Sequence, residues 1–175
     1  AASTAMPRME HVFHMNLTPP FKRMCGRNRQ DEGFVFKLTL KGSGWFKKNR
    51  QLTALLPGSV LFCRVNDPEI EYFVGDEEPW EFIFTTFTGD VLTALGDEII
   101  ANYGHVFEHL PQAFIENLLF SFKNDSNLPQ HMTYIANLEI LNKLLNLLMT
   151  EKETRTMSLA KQAQQLINAD SFQAL

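Results

Sequence analysis

Residues Phe34 to Leu40 read Phe-Val-Phe-Lys-Leu-Thr-Leu and are followed at once by Gly42-Ser43-Gly44. Aromatic and β-branched residues of this kind are typical of a β-strand, and closely spaced glycines mark a turn. The stretch therefore predicts a strand that ends in a tight bend.

Further short strands follow at regular intervals. Trp45-Phe46 and residues 51–56 flank a polar tip, and Pro57-Gly58 ends that unit. The later apolar runs are 59–65, 69–74 and 80–88, separated by Asn, Asp, Pro and Gly. Evenly spaced short strands with such punctuation indicate a β-sandwich or barrel.

The run Trp-Glu-Phe-Ile-Phe-Thr-Thr-Phe-Thr, which begins at Trp80, alternates between two faces if it is a strand. Successive side chains of a strand point to opposite sides of its sheet. One face is predicted to carry Trp80, Phe82, Phe84 and Thr86, and the other Glu81, Ile83, Thr85 and Phe87.

The pattern changes to helices at Gly89-Asp90. Asp90 is predicted to cap a first helix that closes near Gly104, and residues 105–110 form a short extended link. Pro111 suits the start of a second helix that runs to about Lys123.

The strongest predicted helix runs from Pro129 to Met149, and its apolar residues cover more than one narrow stripe. Such a helix must pack on two sides. Two explanations fit the spacing equally well: a helix wedged between the β-domain and its neighbouring helix, or a contact between subunits.

Residues 151–156 are polar and predict a linker, after which Ser158 is expected to cap a last helix. That helix has little chain left to pack against, so we expect the sequence to be a piece of a larger protein.

The composition narrows the function. A length of 175 residues supports one main core, and a net charge of −4 argues against a surface built on phosphate contacts. Cys25 and Cys63 show neither CxxC spacing nor a zinc pattern. With no signal peptide or transmembrane run apparent, we expect a cytoplasmic protein.

The sequence offers no catalytic constellation. No His occurs between His14 and His105, whereas a metal site needs three or four clustered His, Cys or carboxylate ligands. Glu69 and Glu71 are expected to be solvated, and no serine lies in a nucleophile elbow. We therefore predict no enzyme activity, no metal and no cofactor.

Residues 27–44 resemble the first barrel strand of AraC-type transcription regulators, in which an Arg precedes an aromatic-rich strand and Gly-x-Gly. Residues 55–62 are similar to the apolar-Pro-Gly-Asp-apolar segment of that family. Tyr72 and the strand from Trp80 to Phe87 follow at suitable distances. The resemblance covers roughly residues 27 to 90.

The resemblance implies a mainly β fold with helices: a cupin-like jelly-roll barrel (double-stranded β-helix) followed by a C-terminal helical dimerisation segment. It divides the chain into an arm and barrel with the first helix (1–110), the dimerisation segment (111–150), and a linker with the start of an absent helix-turn-helix domain (151–175). A small effector would bind in the barrel of a homodimer, and DNA would be bound only by the missing domain.

By the same resemblance, Arg27 falls where the family holds a sugar, and Tyr72 and Phe84 fall at pocket positions. Strand alternation adds further inward-facing aromatic residues, and the alternative for all of them is simple core filling. The predicted ligand-binding set is Arg27, Phe36, Trp45, Tyr72, Trp80, Phe82 and Phe84, and the predicted dimerisation set is Ile135, Leu138, Leu141, Leu145 and Leu148.

The aromatic set predicts a cavity more apolar than one shaped for a pentose. Three functions stay open. The first is an effector-sensing domain for a small, carbohydrate-like ligand, and the second is a ligandless dimerisation scaffold. The third is a free-standing cupin sugar isomerase or dioxygenase, although the sequence lacks the metal ligands that such an enzyme needs.

Overall fold

The computed structural model describes residues 8–9, 12–19, 23–76, 78–108, 110–111, 113, 139, 142–143, 145–150, 153–154, 156–162 and 165. Its elements, in chain order, are β1 (Arg8–Met9), β2 (Phe13–Leu17), β3 (Met24–Cys25), β4 (Phe34–Gly42), β5 (Gly44–Lys48), β6 (Gln51–Leu55), β7 (Val60–Arg64), β8 (Ile70–Val74), β9 (Trp80–Thr88), α1 (Asp90–Tyr103) and β10 (Val106–Phe107).

The strands form two antiparallel sheets. The larger sheet has the order β1-β9-β4-β7-β10, with β2 also paired to β9, and the smaller has the order β3-β8-β5-β6. β4 and β9 lie at the centre of the larger sheet and are paired along most of their length. The two sheets pack face to face around an apolar cluster to which both contribute.

Alternation along β4 assigns its side chains to two cores. Phe34, Phe36 and Leu38 point away from the smaller sheet into a cluster shared with α1. Val35 points the other way, into the cluster between the sheets. The period of two therefore places Lys37 and Thr39, both buried, on the side of Val35.

The bend between β4 and β5 is tight because it lies against neighbouring chain. Gly42 has a φ of 64°, and a Cβ at Gly44 would lie 2.4 Å from Cε2 of Trp80. Glycine is required at the first position by its backbone angle and at the second by the indole ring. The bend predicted from the sequence thus also seats Trp80.

Helical residues cover the outer face of the larger sheet. Leu92 and Ile99 of α1 are buried there together with Leu145 and Leu148. Arg64 on β7 forms a two-pronged ion pair with Asp97 of α1. In the part of the chain that the structure describes, no helix combines the length and apolarity needed to cross a membrane.

The mainly β class, the strands from β4 to β9 and the alternation of β9 are confirmed, as are a helix ending at Gly104 and an extended link after it. Two details were wrong. Gly89 rather than Asp90 occupies the cap position of α1, so Asp90 lies in the first turn, where a helix dipole favours negative charge. Residues 153–154 and 156 are helical, although residues 151–156 were predicted to be a linker.

The residues before Arg27, predicted only as an arm, contribute β1, β2 and β3. β2 pairs with β9 from Phe13 to Leu17, and β3 pairs with β8. These pairings extend both sheets, so this segment is part of the β-domain.

Candidate functional site

The structure places a buried lysine between the two sheets. Lys37 lies near the middle of β4, paired with Phe84 on one side and Leu61 on the other. Its relative exposure is 2%. Lysine is almost never fully buried unless it is paired, so this side chain needs an explanation.

Aromatic rings surround the Lys37 ammonium. Its Nζ lies 3.9 Å from the ring centroid of Phe82 and 4.1 Å from that of Tyr72. The rings of Trp80 and Phe84 follow at 5.0 and 5.3 Å. Aromatic faces attract a cation electrostatically, and the attraction is stronger where water is excluded. We call these four rings and the ammonium the Lys37 cage.

The cage contains no counter-ion from the described residues, and none of their groups is hydrogen-bonded or ion-paired to the Lys37 ammonium. Burial lowers the pKa of Lys37 to about 7. Burial also raises the pKa of Cys63 and that of Tyr72 to about 12, so both groups are neutral at pH 7. Near neutrality the cage therefore holds one amine that exchanges between its charged and neutral forms.

The rings of the cage are held in place by their neighbours. The indole Nε1 of Trp80 donates a buried hydrogen bond to Oγ1 of Thr39 at 3.1 Å. Trp80 and Phe82 pack at a centroid distance of 4.2 Å. These contacts fix the positions of Trp80 and Phe82 beside Lys37.

One side of the cage is more open. Phe84 is only partly buried and stacks on Phe13 of β2 at 5.2 Å. Met15 on β2 and Met24 on β3 are also partly buried against the cluster between the sheets. The side next to β2 and β3 is thus lined by flexible or partly exposed apolar groups, which suits the mouth of a binding site.

Four of the residues predicted for the ligand site come together: Tyr72, Trp80, Phe82 and Phe84 all face Lys37. Phe36 does not, because it points to the outer face of β4 and packs in the cluster under α1. Arg27 is exposed in the short 3-10 turn Gly26–Asn28 and is not one of the residues of the cage.

Trp45 also lies outside the cage. It is partly exposed beside Arg23, Leu52 and Phe73, which line an open groove of about 450 Å³ on the smaller sheet. The guanidinium of Arg23 covers the ring of Phe73 at 4.3 Å. Successive side chains of a strand point to opposite faces, and on β5 it is Phe46, the next residue, that is buried between the sheets. Trp45 therefore points away from the other predicted aromatic residues.

Lys37 itself was missed in the sequence, although a signal was present. A lone charge interrupts the apolar run from Phe34 to Leu40, at a position two residues from Val35 and Thr39 on the same strand face. A lysine within a strand that is otherwise apolar on both faces predicts either a strand edge or a buried charge.

A second polar cluster joins the two sheets at Lys48, Asp67 and His105. Nζ of Lys48 is 3.1 Å from Oδ2 of Asp67 and 3.1 Å from Nε2 of His105. Nδ1 of His105 is 3.2 Å from the carbonyl oxygen of Phe62. This geometry favours a neutral imidazole with Nδ1 protonated, and burial lowers the pKa of His105.

Of the predicted dimerisation residues, Leu145 and Leu148 are buried in the cluster under α1, within this same chain. Ile135, Leu138 and Leu141 lie outside the described residues. The wedged packing weighed from the sequence therefore accounts for Leu145 and Leu148. Over the ranges that the structure describes, no group of three or more His, Cys, Asp or Glu side chains could hold a metal ion.

Two antiparallel sheets thus pack face to face around an aromatic site, and helical residues cover the outer face of the larger sheet. The chain superposes on the AraC-like transcriptional activator CuxR with a TM-score of 0.54 at 12% identity, over 82% of this chain and 50% of that one. ToxT from Vibrio cholerae is similar, with a TM-score of 0.48 at 9% identity, over 84% of this chain and 58% of ToxT.

The resemblance to AraC-type regulators is thereby confirmed at the level of the fold. The chain spans about half the length of CuxR. A further ToxT structure, with a TM-score of 0.45, is of that protein bound to (E)-4-(8-methylnaphthalen-1-yl)but-3-enoic acid. No protein-family model matches this sequence, and no curated protein is significantly similar to it.

Proposed function

We propose that this chain is the effector-sensing and dimerisation part of an AraC-type transcription regulator, and that its effector is a small organic acid bound between the sheets. The observation that carries the proposal is Lys37, a 2% exposed ammonium without a counter-ion among the described residues. An isolated buried charge is costly, and an anionic ligand offsets that cost.

The surroundings of Lys37 select among anions. The cage consists of aromatic rings, and its more open side carries Met15, Met24 and Phe84. An acid with an apolar body matches this lining, because its carboxylate pairs with the ammonium while its hydrocarbon part replaces water against the rings.

The carbohydrate-like ligand implied by the family resemblance has weaker support here. A sugar needs several fixed polar partners, and Arg27, the residue expected to supply them, is exposed outside the cage. Apolar rings with a single ammonium favour one acidic group over many hydroxyls. A carboxylate effector therefore replaces the sugar in our proposal.

In the whole regulator, this domain would form a cupin-like barrel and dimerise through its helical segment. Effector binding would reposition the DNA-binding domains that follow it in the chain. The regulator would act in the cytoplasm. Such control requires the effector to bind one arrangement more tightly than another. β2 is suited to respond, because its Phe13 stacks on Phe84 of the cage.

The test is isothermal titration of the chain with octanoate and 4-phenylbutyrate, with 1-octanol and arabinose as uncharged comparisons. We expect saturable binding of the acids that Lys37→Met weakens at least about tenfold, as for loss of a charge-assisted contact. Lys48→Met, which changes a lysine outside the cage, is the matched control.

The pH dependence sharpens this test. With a Lys37 pKa of about 7, only the ammonium fraction binds, so affinity at pH 8.5 should be about 25-fold lower than at pH 6.5. Acid binding that Lys37→Met leaves unchanged would refute the carboxylate site. Silence toward every acid and sugar would favour the ligandless dimerisation scaffold.

A further inference from the structure

The Lys37 cage has a second chemical capability that depends on the neutral form of the same amine. Amines act as nucleophiles when they are unprotonated, and lysines acquire this reactivity when an apolar pocket removes their hydration. The four rings around Nζ lie at 3.9 to 5.3 Å and supply such a pocket.

From this enclosure we propose that Lys37 forms a reversible covalent imine with aldehydes that carry an apolar body. The inference rests on the proposed function in one respect, because the aldehyde would have to enter between the same two sheets as the acid. It adds a different chemistry, in which the ligand is retained by a bond to Nζ rather than by charge.

The groups closest to the amine permit this reaction. Cys63 interacts electrostatically with Lys37 and with Tyr72. Burial raises the pKa of Cys63 and that of Tyr72 to about 12, so the thiol and the phenol stay protonated near neutrality. Neither therefore supplies an anion that would hold Lys37 as an ammonium. A carboxylate at either position would do so and would suppress the neutral amine.

The reaction is a condensation without an oxidant or reductant. The Nζ lone pair attacks the carbonyl carbon, the carbonyl electron pair moves to oxygen, and proton transfer gives a carbinolamine. Protonation of its hydroxyl releases one water as the nitrogen lone pair forms the C=N bond, and loss of the nitrogen proton leaves the imine. The apolar walls disfavour the water needed for the reverse step.

Three other described lysines, all on strands of the β-domain, offer a built-in comparison. Lys47 and Lys48 form ion pairs with Glu71 and Asp67. Lys41 is paired more loosely with Glu81 at 3.8 Å and is largely exposed to water. Lys37 differs from all three in having neither a carboxylate nor water around it.

The experiment is trapping with hexanal and cyanoborohydride at pH 7.5, followed by intact mass and peptide mapping. We expect Lys37 to gain one hexyl group at least about tenfold faster than any other lysine, because more of its amine is neutral. The labelling rate of Lys37 should rise from pH 6 and level off above pH 8, whereas the labelling rate of exposed lysines should continue to rise.

Lys37→Arg keeps the charge but cannot form the imine, and Lys48→Arg is the control that should leave labelling intact. Labelling spread over all lysines, or persisting at the same rate in Lys37→Arg, would overturn the proposal. If folding of Lys37→Arg fails, the pH profile of the unmodified chain decides alone: a rate at Lys37 that climbs in parallel with exposed lysines overturns it.

Octanoate separates this inference from the proposed function. Octanoate binding without selective hexylation of Lys37 would remove the imine and leave the acid site. Selective hexylation that octanoate does not slow would support the imine, and would count against the carboxylate effector.

Discussion

At the scale of single residues, two buried or half-buried bases decide how this domain responds to pH. The side chain of Lys37 has no hydrogen bond or ion pair with another residue that the structure describes, and the His105 ring is held between the Lys48 ammonium and the Phe62 carbonyl. Each has a pKa that its surroundings lower. A base with a lowered pKa destabilises the folded state wherever the unfolded chain binds the proton and the folded chain does not.

For Lys37 this window runs from about pH 7 to its ordinary pKa of 10.5. We expect the free energy of unfolding to rise with pH across that window by up to about 1.4 kcal/mol per pH unit. Lys37→Met, which keeps the length and removes the charge, should stabilise the domain at pH 7 by about 2 kcal/mol and abolish this rise. Urea unfolding at pH 7 and pH 9 measures both.

The Lys37 prediction has a clear alternative outcome. Suppose that Lys37→Met is less stable than the unmodified chain at pH 7 and that its pH dependence is unchanged. The aromatic rings would then stabilise the Lys37 ammonium by more than its burial costs, and the prediction would be wrong. Lys47→Met, a surface lysine paired with Glu71, should change the stability by less than about 0.5 kcal/mol.

For His105 the window lies at acid pH. The unfolded imidazole takes up its proton near its ordinary pKa of 6.5, above the lowered pKa of the folded state. The contribution of His105 to the free energy of unfolding is therefore fully present above about pH 7 and decreases as the pH drops below 6.5. His105→Gln should flatten the difference in thermal unfolding temperature between pH 7.5 and pH 5. A slope that is the same in both proteins would show that other groups cause it.

At the scale of elements, the contact between α1 and the larger sheet depends on one close approach. A Cβ at Gly96 would lie 2.5 Å from Cζ of Phe34, and that ring is fully buried and stacked on Phe62. Alanine favours a helix over glycine by about 1 kcal/mol, but overpacking a core costs about 1–3 kcal/mol. Packing is therefore the larger effect.

We expect Gly96→Ala to lower the free energy of unfolding by about 1–2 kcal/mol. Chemical denaturation measures it, with Glu98→Ala on the exposed side of α1 as the control that should stay within about 0.5 kcal/mol. A stabilised Gly96→Ala variant would mean that Phe34 moves aside at little cost and that α1 is more loosely packed than its contacts indicate.

For the domain as a unit, Leu145 and Leu148 serve the core of this chain before they can serve a dimer. Leu145 and Leu148 are 5% and 0% exposed in the cluster under α1, so a charge at either position enters the core. Burying an unpaired charge is costly enough to unfold a domain of ordinary stability. Dimerisation through this segment therefore needs a different set of side chains.

A pair of variants separates the two roles. We expect Leu145→Asp to unfold the chain, and Leu141→Asp to dissociate a dimer while leaving the thermal unfolding of the monomer in place. Sedimentation velocity together with circular dichroism distinguishes these outcomes. A dimer that survives Leu141→Asp with unchanged affinity would remove this face of the helix from the proposed contact.

Local sequence pattern was enough to predict the strands from β4 to β9, the alternation of β9 and the change from strands to α1, because residue periodicity and turn residues act locally. It also grouped Tyr72, Trp80, Phe82 and Phe84. Only the tertiary structure decided that Lys37 is at their centre, that Phe36 and Trp45 face elsewhere, and that Leu145 is buried in its own chain. Those facts depend on which face of each strand or helix meets its neighbour, and long-range packing fixes that choice where local pattern leaves both faces apolar.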